Sequence, residues 1–201
     1  MNAGQRFARL ATDLVVRWPR TWPLLRPIIR TQFARLAPIW DVNRSPEAFS
    51  PLEAALDAVE GPVASALDLG TGTGDAAFVV ARRFPEAEVV GIDLAPEMIE
   101  TARRKTPPEA KVSFEVGDAS AVPRGDGTFD LVTGANVIPF FDELARLVAP
   151  GGYVALSFSV GPATPIYVPP ERLRAELARR GFSEFAEFEA GSGTAFLARR
   201  R

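Results

Sequence analysis

The sequence contains no cysteine and no histidine. The first absence rules out disulfides, thiolate nucleophiles and cysteine-ligated metals. The second removes the imidazole base and the imidazole metal ligand, so chemistry falls to carboxylates, hydroxyls, amides and plain alignment. No metal site is expected. Long apolar helices are missing too. Residues 147–170 run for twenty-four positions without a charge, but five prolines and three glycines among them forbid a continuous membrane-spanning helix. Arginines interrupt every candidate apolar core near the N-terminus, so no signal peptide is read there. The expectation is a cytoplasmic protein, with peripheral membrane contact left open.

What is present suits one α/β domain. There are 201 residues, 47% hydrophobic and 24% charged. The net charge of −2 hides an asymmetry. Residues 1–44 hold eight arginines and two aspartates, while the remainder holds fifteen basic and twenty-three acidic residues. The two parts are expected to do different work, as a helical extension over residues 1–45 and a main domain over residues 46–201.

The main domain is organised around Ala66-Leu67-Asp68-Leu69-Gly70-Thr71-Gly72-Thr73-Gly74. An apolar run ends in three glycines spaced two apart, and an alanine-rich stretch follows. This pattern reads as a buried strand, a tight loop and the first turn of a helix. Glycine there reaches positive φ and lets a ligand lie against the backbone. The glycines alone leave NAD open, since Gly72-Thr73-Gly74-Asp75-Ala76-Ala77 satisfies the looser dinucleotide spacing. A phosphate-binding loop is excluded because no G-K-[ST] follows. Asp68, two residues before the first glycine, is a poor neighbour for pyrophosphate and a good one for a cationic amino acid moiety. A second strand, residues 88–93, ends in Asp93, nineteen residues after Gly74. A carboxylate at that strand end can accept both hydroxyls of a ribose.

Asp68 through Gly74 resembles the first motif of the class I S-adenosylmethionine-dependent methyltransferases. Leu94-Ala95-Pro96-Glu97-Met98-Ile99 continues the resemblance, as does the connector Val122-Pro123-Arg124-Gly125-Asp126-Gly127-Thr128-Phe129-Asp130. The Pro150-Gly151-Gly152 turn before an apolar strand completes it. The resemblance covers residues 50–201 and implies a Rossmann-like, doubly wound, mostly parallel seven-stranded sheet with a C-terminal antiparallel hairpin. It implies S-adenosyl-L-methionine as cofactor, held by Asp68, Gly70, Thr71, Gly72, Gly74, Asp93, Leu94, Met98, Asp118, Ala119 and Asn136. By resemblance alone, Asp118 takes the adenine amine, the Ala119 amide meets a ring nitrogen, and Met98 packs near the adenine.

Further strands are expected over residues 111–117, 131–135 and 153–160. The terminal hairpin spans residues 182–189 and 194–198. Helices are expected over residues 5–16, 24–36, 45–59, 75–84, 142–148 and 171–180, with Ser50 capping and Pro51 opening the third. The segment Asn136-Val137-Ile138-Pro139-Phe140-Phe141 lacks the motif of nucleic-acid amino-group methyltransferases, which makes a nucleic acid the least favoured partner. A small, rather apolar acceptor is expected, lined by Trp40, Phe140, Phe141, Ile166 and Tyr167. The connector is most similar to members acting on quinone precursors.

Such transfer is an in-line displacement in which alignment supplies about 7–11 kcal/mol without acid or base. An amine or alcohol acceptor needs a base, for which Tyr167 and Asp142 are the residues to inspect, while Asn136 either positions cofactor or acceptor by hydrogen bonds or caps the strand end. The catalytic residue and the acceptor atom (oxygen, nitrogen, carbon or sulfur) stay open. A non-catalytic S-adenosylmethionine- or nucleoside-binding module with a basic docking segment is the alternative, and an NAD-dependent oxidoreductase is a weaker one. Residues 1–44, rich in arginine and tryptophan, either cap the cleft or lie on an anionic membrane surface.

Overall fold

A computed structural model of the chain describes residues 3–42, 45 and 47–201. Seven segments whose inward positions are aliphatic or aromatic form one sheet. They are β1 (Ser65–Leu69), β2 (Glu88–Asp93), β3 (Val112–Val116), β4 (Phe129–Ala135), β5 (Val148–Phe158), β6 (Phe182–Ala190) and β7 (Gly193–Arg200). Their order is β3-β2-β1-β4-β5-β7-β6. The first five run parallel, and β7 lies antiparallel between β5 and β6. The chain winds outward from β1 to β3 and then returns to add β4 and β5 on the other side. That reversal opens a crevice at the carboxyl ends of β1 and β4, where doubly wound sheets bind ligands.

Side chains alternate across the sheet as strand geometry requires. Ala66, Leu131, Tyr153 and Ala155 face one core, and Leu67, Val132, Val154 and Leu156 face the other. The first core is closed by α3 (Ser50–Asp57), α4 (Asp75–Arg83) and α5 (Pro96–Lys105), the second by α6 (Phe141–Leu147) and α7 (Pro170–Ala178).

Two expectations change at element ends. The third helix covers Ser50–Asp57 only; Ser50 sits inside its first turn, and the cap is Phe49, which supplies no side-chain hydrogen bond. Pro150-Gly151-Gly152 does not precede β5 but lies within it, where the pairing with β4 shifts register between Phe129 and Leu131. The boundary set at residues 45 and 46 falls among residues 43, 44 and 46, which are outside the described residues.

The N-terminal extension is α1 (Ala3–Arg17) and α2 (Trp22–Leu36), joined by a single 3-10 turn and followed by another at Ala37–Ile39. Pro27 lies inside α2 without ending it. In α1, Ala11, Thr12 and Val15 are buried at the three-and-four spacing of one helix face. Val15 and Trp22 share a core with Ile138 and Phe140 from the loop after β4. Arg9 donates to the carbonyls of Pro162 and Thr164 at 2.8 and 2.6 Å. The extension thus packs as a roof across the carboxyl ends of the strands. Among the described residues no helix is long and apolar enough to cross a membrane.

Candidate cofactor and acceptor cavity

The sheet's crevice and the roof enclose a mainly apolar cavity of about 530 Å³. Its floor comes from the strand ends: Gly70, Thr71 and Gly72 after β1, Asp93 and Leu94 at β2, Ala119 after β3, and Asn136 to Ile138 after β4. Met98, at the start of α5, also reaches it.

The glycine loop is held from both sides. Thr71 N–H donates to the Ile92 carbonyl at 2.8 Å, and Gly72 N–H donates to Asp93 Oδ2 at 3.0 Å. Gly72 has φ +55, and a Cβ on it would lie 3.4 Å from the Trp40 indole nitrogen of the roof. Asp93 Oδ1 accepts the Ala95 N–H at 2.8 Å. Burial pushes the Asp93 carboxyl up, and the Ala95 and Gly72 amides oppose that. A backbone role for this carboxylate was not part of the sequence expectation.

Asp68 lies beneath the loop, 1% exposed, between Gly91 and Thr133 of the neighbouring strands. Thr133 Oγ1 donates to its Oδ1 at 2.8 Å. Its Oδ2 and the Thr71 hydroxyl are buried without a hydrogen-bond partner. Burial drives its pKa to about 6, against the pull of the nearby Thr71 and Thr133 hydroxyls, and Asp93's charge adds to the rise. Near neutral pH this is a buried anion with no cation beside it among the described residues, a costly arrangement unless a ligand supplies one.

Asp118 takes a different place. Trp22 Nε1 donates to both its oxygens at 3.0 Å, Arg26 donates at 3.1 Å, and Ser120 donates through its N–H and Oγ. Burial raises its pKa, but these donors together outweigh that and hold it below the usual carboxylate range. Ala119 and Gly117 line the cavity, whereas the Asp118 carboxylate ties the sheet to the roof.

Of the expected acceptor-lining residues, Trp40, Phe140 and Ile166 reach the cavity. Phe141 does not. It opens α6 with its side chain in the second core, under the Arg180 guanidinium. Tyr167 also turns away, edge-on to Phe158 at 5.1 Å, and its hydroxyl is pushed up by burial and by Glu171 and Glu187. Asp142 is 83% exposed and paired with Arg180 outside the cavity. Neither Tyr167 nor Asp142 is placed to act as a base.

Asn136 lines the cavity at φ +53. Its amide is occupied: Oδ1 accepts Ser159 N–H and Nδ2 donates to Ser159 Oγ, both at 3.0 Å, tying the ends of β4 and β5 together.

Among the cavity residues that went unread in the sequence, three stand out. Val137 wedges between the β1 loop and β4, where a Cβ on Gly70 or Gly134 would lie 2.6 or 2.5 Å from it. Trp22 packs edge-on against Phe140 at 5.0 Å. Gln32 lines the roof, and its side-chain amide makes no hydrogen bond among the described residues. Trp22 and Arg26, one helical turn apart, are a usable signal for a shared partner; Val137 and Gln32 carry none.

Comparison with known proteins fits this geometry. Residues 66–152 match the model of a family described as a methyltransferase domain. The demethylmenaquinone methyltransferase of Thermus thermophilus is 47% identical across 48% of this chain and 48% of its own length. The demethylmenaquinone methyltransferase of Deinococcus radiodurans is 34% identical across 69% of this chain and 63% of its own. In both, the chain spans less than two thirds of the relative's length. The crystal structure of an S-adenosylmethionine-dependent methyltransferase from Mesorhizobium loti superposes with a TM-score of 0.60 at 18% identity, over 77% of this chain and 99% of that one. At that identity the likeness is one of fold.

Proposed function

We propose that this chain, which belongs to the class I S-adenosylmethionine-dependent methyltransferases, transfers a methyl group from S-adenosyl-L-methionine to a small, rather apolar acceptor of the quinone-precursor type. One observation carries the reading: a glycine loop and the ribose-height carboxylate of Asp93 form the floor of a single apolar cavity, and the cation-less carboxylate of Asp68 is buried directly beneath that loop.

The residues present fit the cofactor. Asp68 Oδ2, left unpaired by the fold, suits a cationic amino group. Each Asp93 oxygen already accepts one amide and keeps a lone pair for a hydroxyl. When bound, S-adenosyl-L-methionine supplies an electrophilic methyl group on a positively charged sulfur. The chain's own part is to bury the reactants under the roof, exclude water and set the line of attack.

Asp93 is the titratable side chain among the described cavity residues, and it is committed to two backbone amides. The cavity therefore favours an acceptor whose nucleophile is already acidic or carbon-stabilised, such as a hydroquinone ring, over an unactivated amine or alcohol. Gln32 orients the acceptor's oxygen, and Trp40, Phe140 and Ile166 pack its ring. Residues 3–42 serve as the cover of the cleft, with their outer side available to a membrane surface.

Titration calorimetry with S-adenosylmethionine, S-adenosylhomocysteine and NADH, followed by a methyl-transfer assay on a hydroquinone lacking its ring methyl, tests the proposal. Binding of the first two ligands and ring methylation are expected. A preference for NADH would refute it.

A further inference from the structure

The exposed apolar side chains of this protein are not scattered. Among the described residues eight large hydrophobics are exposed, and six of them, Leu10, Trp18, Leu24, Ile28, Ile39 and Val42, belong to the roof, each between 51 and 80% exposed. Leu24 and Ile28 stand one turn apart on α2, and Trp18 opens the 3-10 turn before it. Scattered singly, exposed apolar residues need no explanation; gathered on one segment they mark an interaction surface.

The charges of the same segment are also unusual. Ten arginines between positions 82 and 199 are ion-paired. In the roof, Arg6, Arg17, Arg20, Arg30 and Arg35 are exposed and have no acidic partner among the described residues. Arg17 instead lies over the Trp18 ring at 4.7 Å. Asp13, on the exposed side of α1, is the one acid between residues 3 and 40. Short helices mixing unpaired arginine with exposed Leu, Ile and Trp suit the headgroup boundary of a bilayer.

Ile39 decides between a lipid surface and another protein. It is half exposed and also lines the cavity, so the apolar outer face continues into the acceptor space. A bilayer covering that edge can deliver an apolar acceptor; a second protein would seal it.

We infer that the outer face of α1 and α2 docks on an anionic lipid bilayer, setting the cavity edge at Ile39 against the lipid phase from which the acceptor enters. The acceptor clause rests on the methyltransferase reading; the docking does not.

Flotation of the full chain with vesicles of phosphatidylcholine, alone or mixed with phosphatidylglycerol, tests the docking. Co-flotation with the anionic vesicles is expected, weakening as salt rises, with binding to neutral vesicles lower by about tenfold or more. Leu24→Glu/Ile28→Glu should reduce anionic binding by a similar factor, because both positions are exposed and the substitution puts charge at the boundary. Arg30→Gln/Arg35→Gln should narrow the difference between the two vesicle types. Unchanged binding of S-adenosylhomocysteine shows that the fold and cavity of each variant are intact.

Failure to float with anionic vesicles, or undiminished flotation of the Leu24→Glu/Ile28→Glu variant, overturns the inference. So does a wild-type dimer that the same variant dissolves without losing vesicle binding, since the face would then belong to a second copy. Flotation without S-adenosylhomocysteine binding would leave the docking standing and refute the methyltransferase reading alone.

Discussion

Asp93 Oδ2 and the Gly72 amide stand 3.0 Å apart, and through that bond the end of β2 fixes the loop that follows β1. One carboxylate both shapes the glycine loop and faces the cavity. Asp93→Asn keeps an acceptor for one amide, whereas Asp93→Ala orphans both. Losing a charge-assisted contact costs about 1.5–3 kcal/mol, so Asp93→Ala should weaken S-adenosylhomocysteine binding about ten- to hundredfold by calorimetry. It should also lower the unfolding midpoint more than Asp93→Asn does.

Asp68 ties stability to pH. Its pKa of about 6 lies above the ordinary 3.8, so the folded protein holds this proton more tightly than the unfolded chain. Ionisation therefore costs stability as pH rises from about 4 to about 6, and the full cost, up to about 3 kcal/mol, persists above that. Asp68→Asn should raise the ligand-free Tm near neutral pH, with the difference closing towards pH ~4 in scanning calorimetry. Wild-type affinity for S-adenosylmethionine should fall as pH drops through about 6, when protonation removes the buried anion.

A methyl group added at Gly134 meets Val137 Cγ1 at 2.5 Å and Leu156 Cδ2 at 3.2 Å. Val137 is stiff at χ1 and cannot swing aside cheaply. Overpacking of this kind costs about 1–3 kcal/mol, which urea denaturation of Gly134→Ala should show as a lowered midpoint with an unchanged slope.

Trp22→Phe removes the N–H that reaches Asp118 and keeps a ring against Phe140. Hydrogen exchange should report weaker protection across residues 5–36 with the sheet unaffected, by about 1.5–3 kcal/mol for a bond to a charged acceptor.

Gln32→Leu should raise the KM for the acceptor about tenfold while leaving S-adenosylhomocysteine affinity unchanged, as expected for one lost neutral hydrogen bond with its desolvation penalty. Asp142→Asn and Tyr167→Phe should leave kcat within about twofold, since neither side chain lines the cavity. Steady-state kinetics on the hydroquinone acceptor checks all three.

The glycine loop, Asp68 and Asp93 were legible because local sequence dictates them: a buried run that stops at glycines, and a strand that stops at an acid. The doubly wound sheet with its terminal hairpin came from the resemblance to a family, and the order of its strands was not read from the sequence. Adjacent residues were harder. Phe140 and Phe141, like Ile166 and Tyr167, differ only in which way the chain turns at a helix start or in a loop, and long-range packing sets that direction. Asp118 was assigned by resemblance alone, and two of its donors, Trp22 and Arg26, lie on α2, 96 and 92 residues away. Residues 45–59 looked like one helix, yet the helix is confined to Ser50–Asp57.

The chain's three tryptophans, Trp18, Trp22 and Trp40, all belong to the N-terminal extension. They occupy three different surroundings: water and an arginine for Trp18, a carboxylate for Trp22, and the glycine loop for Trp40. Indole emission from this molecule therefore originates wholly in its cover, while the sheet beneath contributes none. The protein carries its own optical gauge of the segment that encloses the reactants, and no label has to be attached to read it.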